Sequence, residues 1–250
     1  MEFYPEQAAT MFGPERSAFT EASTKSGKTT VALAWLYDYA IRPYDQNTAC
    51  VWWVAPVYSQ ARIAFNRMRA ALKGQPGFKS NFSIMQITCP HNVTMEFKSG
   101  DNPDNLYGQN VMAAVIDEAS RIKGESIDAV RSTLSATRGP WRLIGNVRGM
   151  GNEFYQMCRK AERGELPNTT YHKIDAYLAA SYSHQYPGLP DLKEIENAKA
   201  MLPEKAFREL YMVDPSGNDT NPFGIDAISA CVAPLSPGGC LLYTSPSPRD

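Results

Sequence analysis

The stretch that decides the fold is residues 19–30, Phe-Thr-Glu-Ala-Ser-Thr-Lys-Ser-Gly-Lys-Thr-Thr. Its second half is typical of a phosphate-binding loop, in which backbone N–H groups surround the phosphates, the lysine reaches the β- and γ-phosphates and the next hydroxyl binds Mg²⁺. The usual pattern is G-x-x-x-x-G-K-[ST], and alanine can replace the leading glycine where φ stays negative. The residues predicted to form this loop are Ala22, Ser23, Thr24, Ser26, Gly27, Lys28 and Thr29.

The segment after the loop strengthens this interpretation. Residues 31–40 are typical of a helix, whose N-terminus would add its dipole to an anion site. The alternative is a polar turn that happens to contain Gly-Lys-Thr. The loop and helix together favour nucleotide binding.

A second candidate stretch is residues 111–118, a nearly continuous apolar run that ends in Asp117 and Glu118. Such a run predicts a buried parallel strand that delivers carboxylates at its carboxyl end. Mg²⁺ prefers oxygen ligands and keeps several waters, so Thr29 and Asp117 would suffice as its protein ligands. Glu118 would orient or deprotonate the attacking water. Alone, the two acids would be a solvated strand end or a helix cap; with the loop they predict hydrolysis of a nucleoside triphosphate.

Strand-like and helix-like segments alternate along the chain, which predicts an α/β fold with a mainly parallel sheet. Predicted strands cover residues 17–21, 49–55, 111–116, 141–147 and part of 171–180, and residues 85–88 and 93–98 are predicted to pair as a hairpin or edge strands. Predicted helices cover residues 31–40, 59–72, 126–134, 153–163, 191–201 and 203–211, and residues 99–105 are predicted to form a loop.

The composition is that of an ordinary globular protein, with 43% hydrophobic residues and a formal net charge of −1. Any basic surface must therefore be local. No apolar run approaches the ~20 residues of a membrane helix, and the N-terminal residues lack a signal-peptide pattern. Five scattered cysteines without a Cys-x-x-Cys pair favour reduced thiols.

Three segments resemble motifs of the large terminase subunit, the DNA-packaging motor of tailed bacteriophages. Residues 21–29 are similar to its phosphate loop, which often lacks the leading glycine and carries a basic residue, here Lys25. Residues 97–108 are similar to the segment before its acidic motif. Residues 142–149 resemble its coupling motif, in which a polar residue, here Asn146, senses the γ-phosphate. The resemblance covers about residues 1 to 230.

This resemblance implies a P-loop NTPase of the additional-strand type, with a mainly parallel central sheet flanked by helices, that hydrolyses ATP with Mg²⁺. It places Lys28 on the phosphates and keeps Thr29, Asp117 and Glu118 in the roles above. It implies that Asn146 is the residue of the coupling motif that senses the γ-phosphate. It also implies that Lys25 neutralises charge on the γ-phosphate, or else is a surface lysine. Gln7 stands where the family often has a glutamine that contacts adenine, and Tyr4 is a candidate to stack on the base.

The implied partners are double-stranded DNA, the phage portal protein and the small terminase subunit, with the chain in a homo-oligomeric ring on the portal in the host cytoplasm and no membrane contact. Residues 1–215 would be the ATPase domain and residues 216–239 a linker toward a nuclease domain whose carboxylates are missing after Asn221. Residues 240–250 resemble translated sequencing-adapter DNA, or else a natural Ser/Pro-rich linker, and are expected to be a non-native tail. Endonuclease activity is not expected.

A basic run with few acids is a candidate to contact DNA phosphates or a neighbouring subunit's nucleotide, although each residue alone is expected to be solvated. Its members are Arg121, Lys123, Arg131, Arg138, Arg142 and Arg148. Two other functions remain open at this point: a helicase-like P-loop ATPase, and a nucleotide-binding or assembly module without turnover.

Overall fold

The computed structural model describes residues 2–45 and 49–215. The strands are β1 (Ser17–Ala22), β2 (Ala49–Ala55), β3 (Lys79–Asn81), β4 (Gln86–Thr88), β5 (Val93–Ser99), β6 (Val111–Ile116), β7 (Trp141–Gly145) and β8 (Thr169–Ile174). The helices are α1 (Pro5–Phe12), α2 (Lys28–Ala40), α3 (Tyr58–Ala71), α4 (Gly124–Thr133), α5 (Glu153–Glu162), α6 (Ala176–Ser181), α7 (Leu192–Met201) and α8 (Glu204–Phe207). Short 3₁₀ turns cover Pro90–Asn92, Pro103–Leu106 and Ala119–Arg121, and a π-helical turn covers Arg208–Met212.

The strands form one sheet in the order β3-β4-β5-β2-β6-β7-β1-β8. All neighbouring pairs from β5 to β8 in this order are parallel, whereas β4 pairs antiparallel with both β3 and β5. Strand β7 lies between β1, which enters the phosphate loop, and β6, which ends at the acidic pair. The predicted α/β fold of the additional-strand type is therefore confirmed.

Helices cover both faces of the sheet, which explains why the central strands have no polar face. Every residue of β1, β2, β6 and β7 is buried. Trp52 and Trp53 are neighbours on β2 and point to opposite faces, so each belongs to a different core cluster. Trp53 packs in the cluster of α2 and α3, and Trp52 packs in the cluster of α4 and α5.

Some elements differ from the prediction. Helix α1 and strand β3 were not predicted, and residues 171–180 form both β8 and α6 because the Asp175 side chain caps α6 by accepting a hydrogen bond from Leu178 N at 2.8 Å. The predicted helix over residues 203–211 is a single turn of α8 followed by the π-helical turn. An eight-residue helix such as α1 is marginal alone, so its stability comes from tertiary contacts that sequence periodicity does not reveal.

Arg142 corrects the prediction for the basic run. It is 1% exposed, and its guanidinium carbon lies 4.7 Å from the centre of the Trp35 ring. It donates hydrogen bonds of 2.9–3.2 Å to the backbone carbonyls of Met11, Gly13, Glu15, Arg16 and Trp141. Burial lowers its pKa to about 10. Arg142 is therefore neither a solvated arginine nor a DNA contact, because it fixes the end of α1 to β7.

Cys50, Cys89 and Cys158 are buried free thiols, as predicted. Among the described helices, none is long and apolar enough to cross a membrane. The predicted linker and tail, residues 216–250, lie outside the described residues, so those expectations stay predictions.

Candidate functional site

The loop between β1 and α2 has the backbone that its sequence requires. Ala22 is the last residue of β1 and is fully buried, and its φ is not positive, so an alanine fits there without strain. The left-handed positions are Lys25, with φ 59°, and Gly27, with φ 82°. A Cβ atom on Gly27 would also lie 2.4 Å from Gln7 Nε2. Glycine is therefore needed at position 27 and not at position 22.

Contacts from distant segments hold this loop in place. Tyr4 Oη donates to Ser26 O at 2.8 Å, and Gln7 Nε2 donates to Gly27 O at 3.0 Å. The N–H groups of Ser23 and Thr24 donate to carbonyls of β8 and of the π-helical turn, so they are not free for an anion. Within the described residues, the N–H groups of Gly27, Lys28 and Thr29 donate no hydrogen bond. These three groups stand at the N-terminus of α2, where an anion is favoured.

A pocket of about 420 Å³ opens over this loop. This volume lies in the range of about 300–1,000 Å³ that is common for ligand sites. Ala22 and Ser23 are fully buried and Ser26 is buried, and none of the three lines the pocket, so in this structure they shape the loop. The lining residues are Thr24, Lys25, Gly27, Lys28, Thr29, Thr30, Arg67, Glu118 and Gly188.

Lys28 connects three of the predicted site residues. Its ammonium donates to Asn146 Oδ1 at 3.0 Å and to Ser23 O at 3.3 Å, and it lies 3.8 Å from Glu118 Oε1. Burial lowers the pKa of Lys28, against the opposing effect of Glu118 and Asp117. Asn146 Nδ2 is buried without a partner. The order of strands β6, β7 and β1 thus brings the acidic pair, Asn146 and the loop lysine to one point.

Asp117 and Glu118 point in different directions because of the backbone. Glu118 has a left-handed backbone, with φ 50°, and its N–H donates to Asp117 Oδ1 at 3.0 Å. Glu118 lines the pocket, whereas Asp117 is 9% exposed beneath it. Burial first, and the Glu118 charge second, raise the pKa of Asp117 to about 7. Two neighbouring carboxylates therefore have different environments, as the sequence predicts.

The residues present suit a magnesium ion. Thr29 supplies a hydroxyl in the pocket, and Asp117 supplies a carboxylate whose charged form is disfavoured by burial and would be stabilised by a cation. Mg²⁺ binds through one or two protein oxygens together with phosphates and water, so the donor set of Thr29 and Asp117 fits it.

The position of Tyr4 and of helix α1 bears on the predicted contacts with the adenine base of the nucleotide. Tyr4 is fully buried, and its ring stacks on that of Tyr182 with centroids 4.8 Å apart. The prediction that Tyr4 stacks on the nucleotide base is therefore wrong, since its ring faces are covered by protein. Gln7 is also buried, with its amide bonded to the loop, so its contact with adenine stays a prediction.

The pocket includes three residues that were not predicted as site residues: Thr30, which directly follows the predicted loop, Arg67 and Gly188. Arg67 comes from the middle of α3, and Gly188 comes from the segment between α6 and α7. An arginine on an amphipathic helix and a glycine in a loop carry no local signal for a site. Only the packing of α3 beside α2 brings Arg67 to the pocket.

The terminase large subunit family, in its T4likevirus-type N-terminal form, has a model that matches residues 20–215. The chain belongs to this terminase family. This membership decides against the helicase-like alternative. The matched residues 20–215 include the loop, the acidic pair and Asn146.

Relatives agree with this assignment. The large terminase subunit of Thermus phage G20c is 25% identical over 232 residues, which is 82% of this terminase chain and 47% of that protein. The chain thus spans about half the length of this curated relative. The large terminase ATPase domain of Thermus phage P74-26 has the same fold, with a TM-score of 0.69, 20% identity and coverage of 86% of this chain and 94% of that one. The large terminase of the thermophilic bacteriophage D6E, in complex with ADP, has a TM-score of 0.67, 13% identity and coverage of 84% and 53%.

Proposed function

We propose that this terminase domain hydrolyses ATP with Mg²⁺ to drive double-stranded DNA into a procapsid. The observation that supports it most is the convergence on Lys28: its ammonium lies 3.0 Å from Asn146 Oδ1 and 3.8 Å from Glu118 Oε1, beside a pocket over the α2 N-terminus. A phosphate ligand, a base and a polar strand-end residue thus meet at one place. The D6E terminase, a protein of the same fold, was solved in complex with ADP, which supports nucleotide binding by this domain.

The residues have separate tasks in this mechanism. The phosphates replace Glu118 and Asn146 as partners of Lys28 and accept hydrogen bonds from Gly27, Lys28 and Thr29 N–H. Thr29 and Asp117 would hold Mg²⁺, which supplies neutralisation of charge on the phosphate oxygens. Glu118 accepts a proton from the water that attacks the γ-phosphorus, and the bond to the β–γ bridging oxygen breaks to leave ADP. Asn146, released from Lys28, is free to bond the γ-phosphate, and Lys25 lines the pocket as a further cation.

Replacing Lys28 by alanine tests nucleotide binding. We expect Lys28→Ala to weaken ATP affinity by about 10- to 100-fold, because a charge-assisted hydrogen bond contributes about 1.5–3 kcal/mol. Titration of fluorescent ATP into the purified chain measures this change. Lys123→Ala, an exposed lysine that does not line the pocket, is the control. Equal affinity of Lys28→Ala and the wild type would contradict the proposed site.

Phosphate release separates this function from a binding module without turnover. We expect the wild-type chain to release phosphate from ATP with Mg²⁺ and not with the metal chelated. Nucleotide binding without phosphate release, also when DNA and portal protein are added, would favour the binding module. The ring, the portal and the small terminase subunit are proposed as partners of the complete protein.

The proposed DNA partner has a basic surface that the sequence did not single out. Residues 46–95 contain no Asp or Glu but five cations, Arg62, Arg67, Arg69, Lys73 and Lys79. All five are exposed, on α3, at its end and on β3. Arg69 and Lys73 line a concave pocket of about 500 Å³ together with Phe78 and Ser80. Phosphates favour such cations without competing carboxylates.

Replacing Arg69 and Lys73 tests this surface. We expect Arg69→Ser with Lys73→Ser to weaken duplex DNA binding about tenfold and to lower the slope of log affinity against log salt by about 0.9 for each lost phosphate contact. The matched control is Lys123→Ser with Arg138→Ser, two exposed members of the basic run predicted from sequence. Fluorescence anisotropy over a salt series measures both. A larger loss in the control would place the DNA on the predicted run instead.

A further inference from the structure

Arg67 is a cation of the nucleotide pocket that comes from outside the phosphate loop. It lies in the middle of α3 and lines the pocket together with Lys25, Lys28 and Glu118. Arg67 therefore shares a pocket with Lys28 and Glu118, where the terminal phosphates of a nucleotide would lie.

Packing of its aliphatic part stabilises the Arg67 side chain at the edge of the pocket. A neighbouring groove of about 450 Å³ between α2 and α3 is lined mainly by apolar groups, and Arg67 and Thr30 line both this groove and the pocket. The aliphatic part of an arginine packs well on apolar surface while its guanidinium reaches polar surroundings. The groove is also lined by Leu33, Ala34, Tyr37, Met68, Ala71, Leu72 and Gln75.

The guanidinium of Arg67 is not held by another side chain or carbonyl in the described residues. It makes no hydrogen bond and no ion pair within 4.0 Å there, whereas Arg69, two residues along the helix, lies over the rings of Phe65 and Phe82. An unpaired guanidinium beside a lysine-lined anion site matches the oxygens of a phosphate, which arginine binds through two parallel N–H groups.

We propose that Arg67 binds the terminal phosphate of ATP and makes the pocket favour ATP over ADP. This inference rests on the proposed function and adds a ligand from α3 to those of the loop. Because Arg67 belongs to a different helix from the loop, its contact also requires α3 to keep its position beside α2. Loss of the γ-phosphate would release α3 from the nucleotide.

The test compares a triphosphate with a diphosphate. We expect Arg67→Gln to weaken binding of the non-hydrolysable analogue AMP-PNP by about 10- to 100-fold, and binding of ADP by less than about threefold. Arg67→Lys should recover part of the loss. Arg163→Gln, an exposed arginine at the end of α5 that does not line the pocket, should bind both ligands as the wild type does. Titration calorimetry measures the affinities, and thermal unfolding checks that each variant is folded.

Two outcomes overturn the inference. Unchanged AMP-PNP affinity would show that Arg67 does not touch the nucleotide, while the proposed ATPase function would stand because the wild type still binds. An equal loss for AMP-PNP and ADP would show that Arg67 does not distinguish the γ-phosphate. If the wild type binds neither ligand, the proposed function and the inference fail together.

Discussion

Glu118→Gln is expected to reduce ATP turnover by about 10²- to 10⁴-fold, the usual contribution of a general base. Glu118 lines the pocket and its left-handed backbone directs it there, whereas Asp117 stays buried beneath. Glutamine keeps the size and the hydrogen-bonding ability of the side chain but cannot accept the proton of the attacking water. The loss should therefore appear in the rate of phosphate release and not in the affinity.

Nucleotide affinity in this variant should stay equal or rise slightly. The carboxylate of Glu118 lies 3.8 Å from the Lys28 ammonium and competes with the phosphates for it, and an uncharged amide competes less. Glu125→Gln is the matched control, since Glu125 is exposed in the first turn of α4 and should keep wild-type turnover. Single-turnover phosphate release at saturating ATP measures the effect. Retained turnover in Glu118→Gln would require another base and would remove the main mechanistic role proposed for the acidic pair.

Arg142→Met should lower the free energy of unfolding by about 3 kcal/mol or more. Methionine has a similar length, but it removes the donor from two buried and three partly buried hydrogen bonds to carbonyls, and each buried acceptor without a partner costs about 1–3 kcal/mol. Arg142→Lys should lose most of the same stability, because one ammonium cannot reproduce the planar array of donors. Urea denaturation measures both variants.

Arg62→Met is the control for this prediction, since Arg62 is exposed and has no partner in the described part of the chain, so its loss should change stability by less than about 0.5 kcal/mol. Arg142→Met should also raise hydrogen exchange in α1 first, because three of the five carbonyls belong to residues 11–15. Unchanged stability in Arg142→Met would contradict the structural role assigned to this residue.

Those parts of the site that depend on local sequence patterns could be predicted from the sequence. The loop, the acidic pair and Asn146 each end a buried strand, and parallel strands align their carboxyl ends at one edge of a sheet, so these residues could be predicted to meet. Their arrangement around Lys28 agrees with that expectation. Their chemical roles stay predictions until the variants are measured.

The remaining features depend on contacts between distant segments. Arg142 was misinterpreted because charge in a sequence does not show that five carbonyls surround the residue. Arg67 and Gly188 reach the pocket only through helix packing and a loop path, and Tyr4 is covered by Tyr182 from more than 170 residues away. The proposed basic face of α3 and β3 does not stand out by its density of arginines, and its sequence signal is the absence of acids over residues 46–95.

The smallest piece of this terminase domain that folds on its own is expected to start before residue 5, although the family match starts at residue 20. Helix α1 contributes the hydroxyl of Tyr4 and the amide of Gln7 to the loop, and Arg142 anchors its far end. A protease cut between residues 13 and 16 would leave the site motifs in the chain but would separate from them the helix whose contacts hold the loop. Any truncated, fused or circularly permuted version of the domain should therefore keep residues 4–16 connected to the proposed nucleotide site.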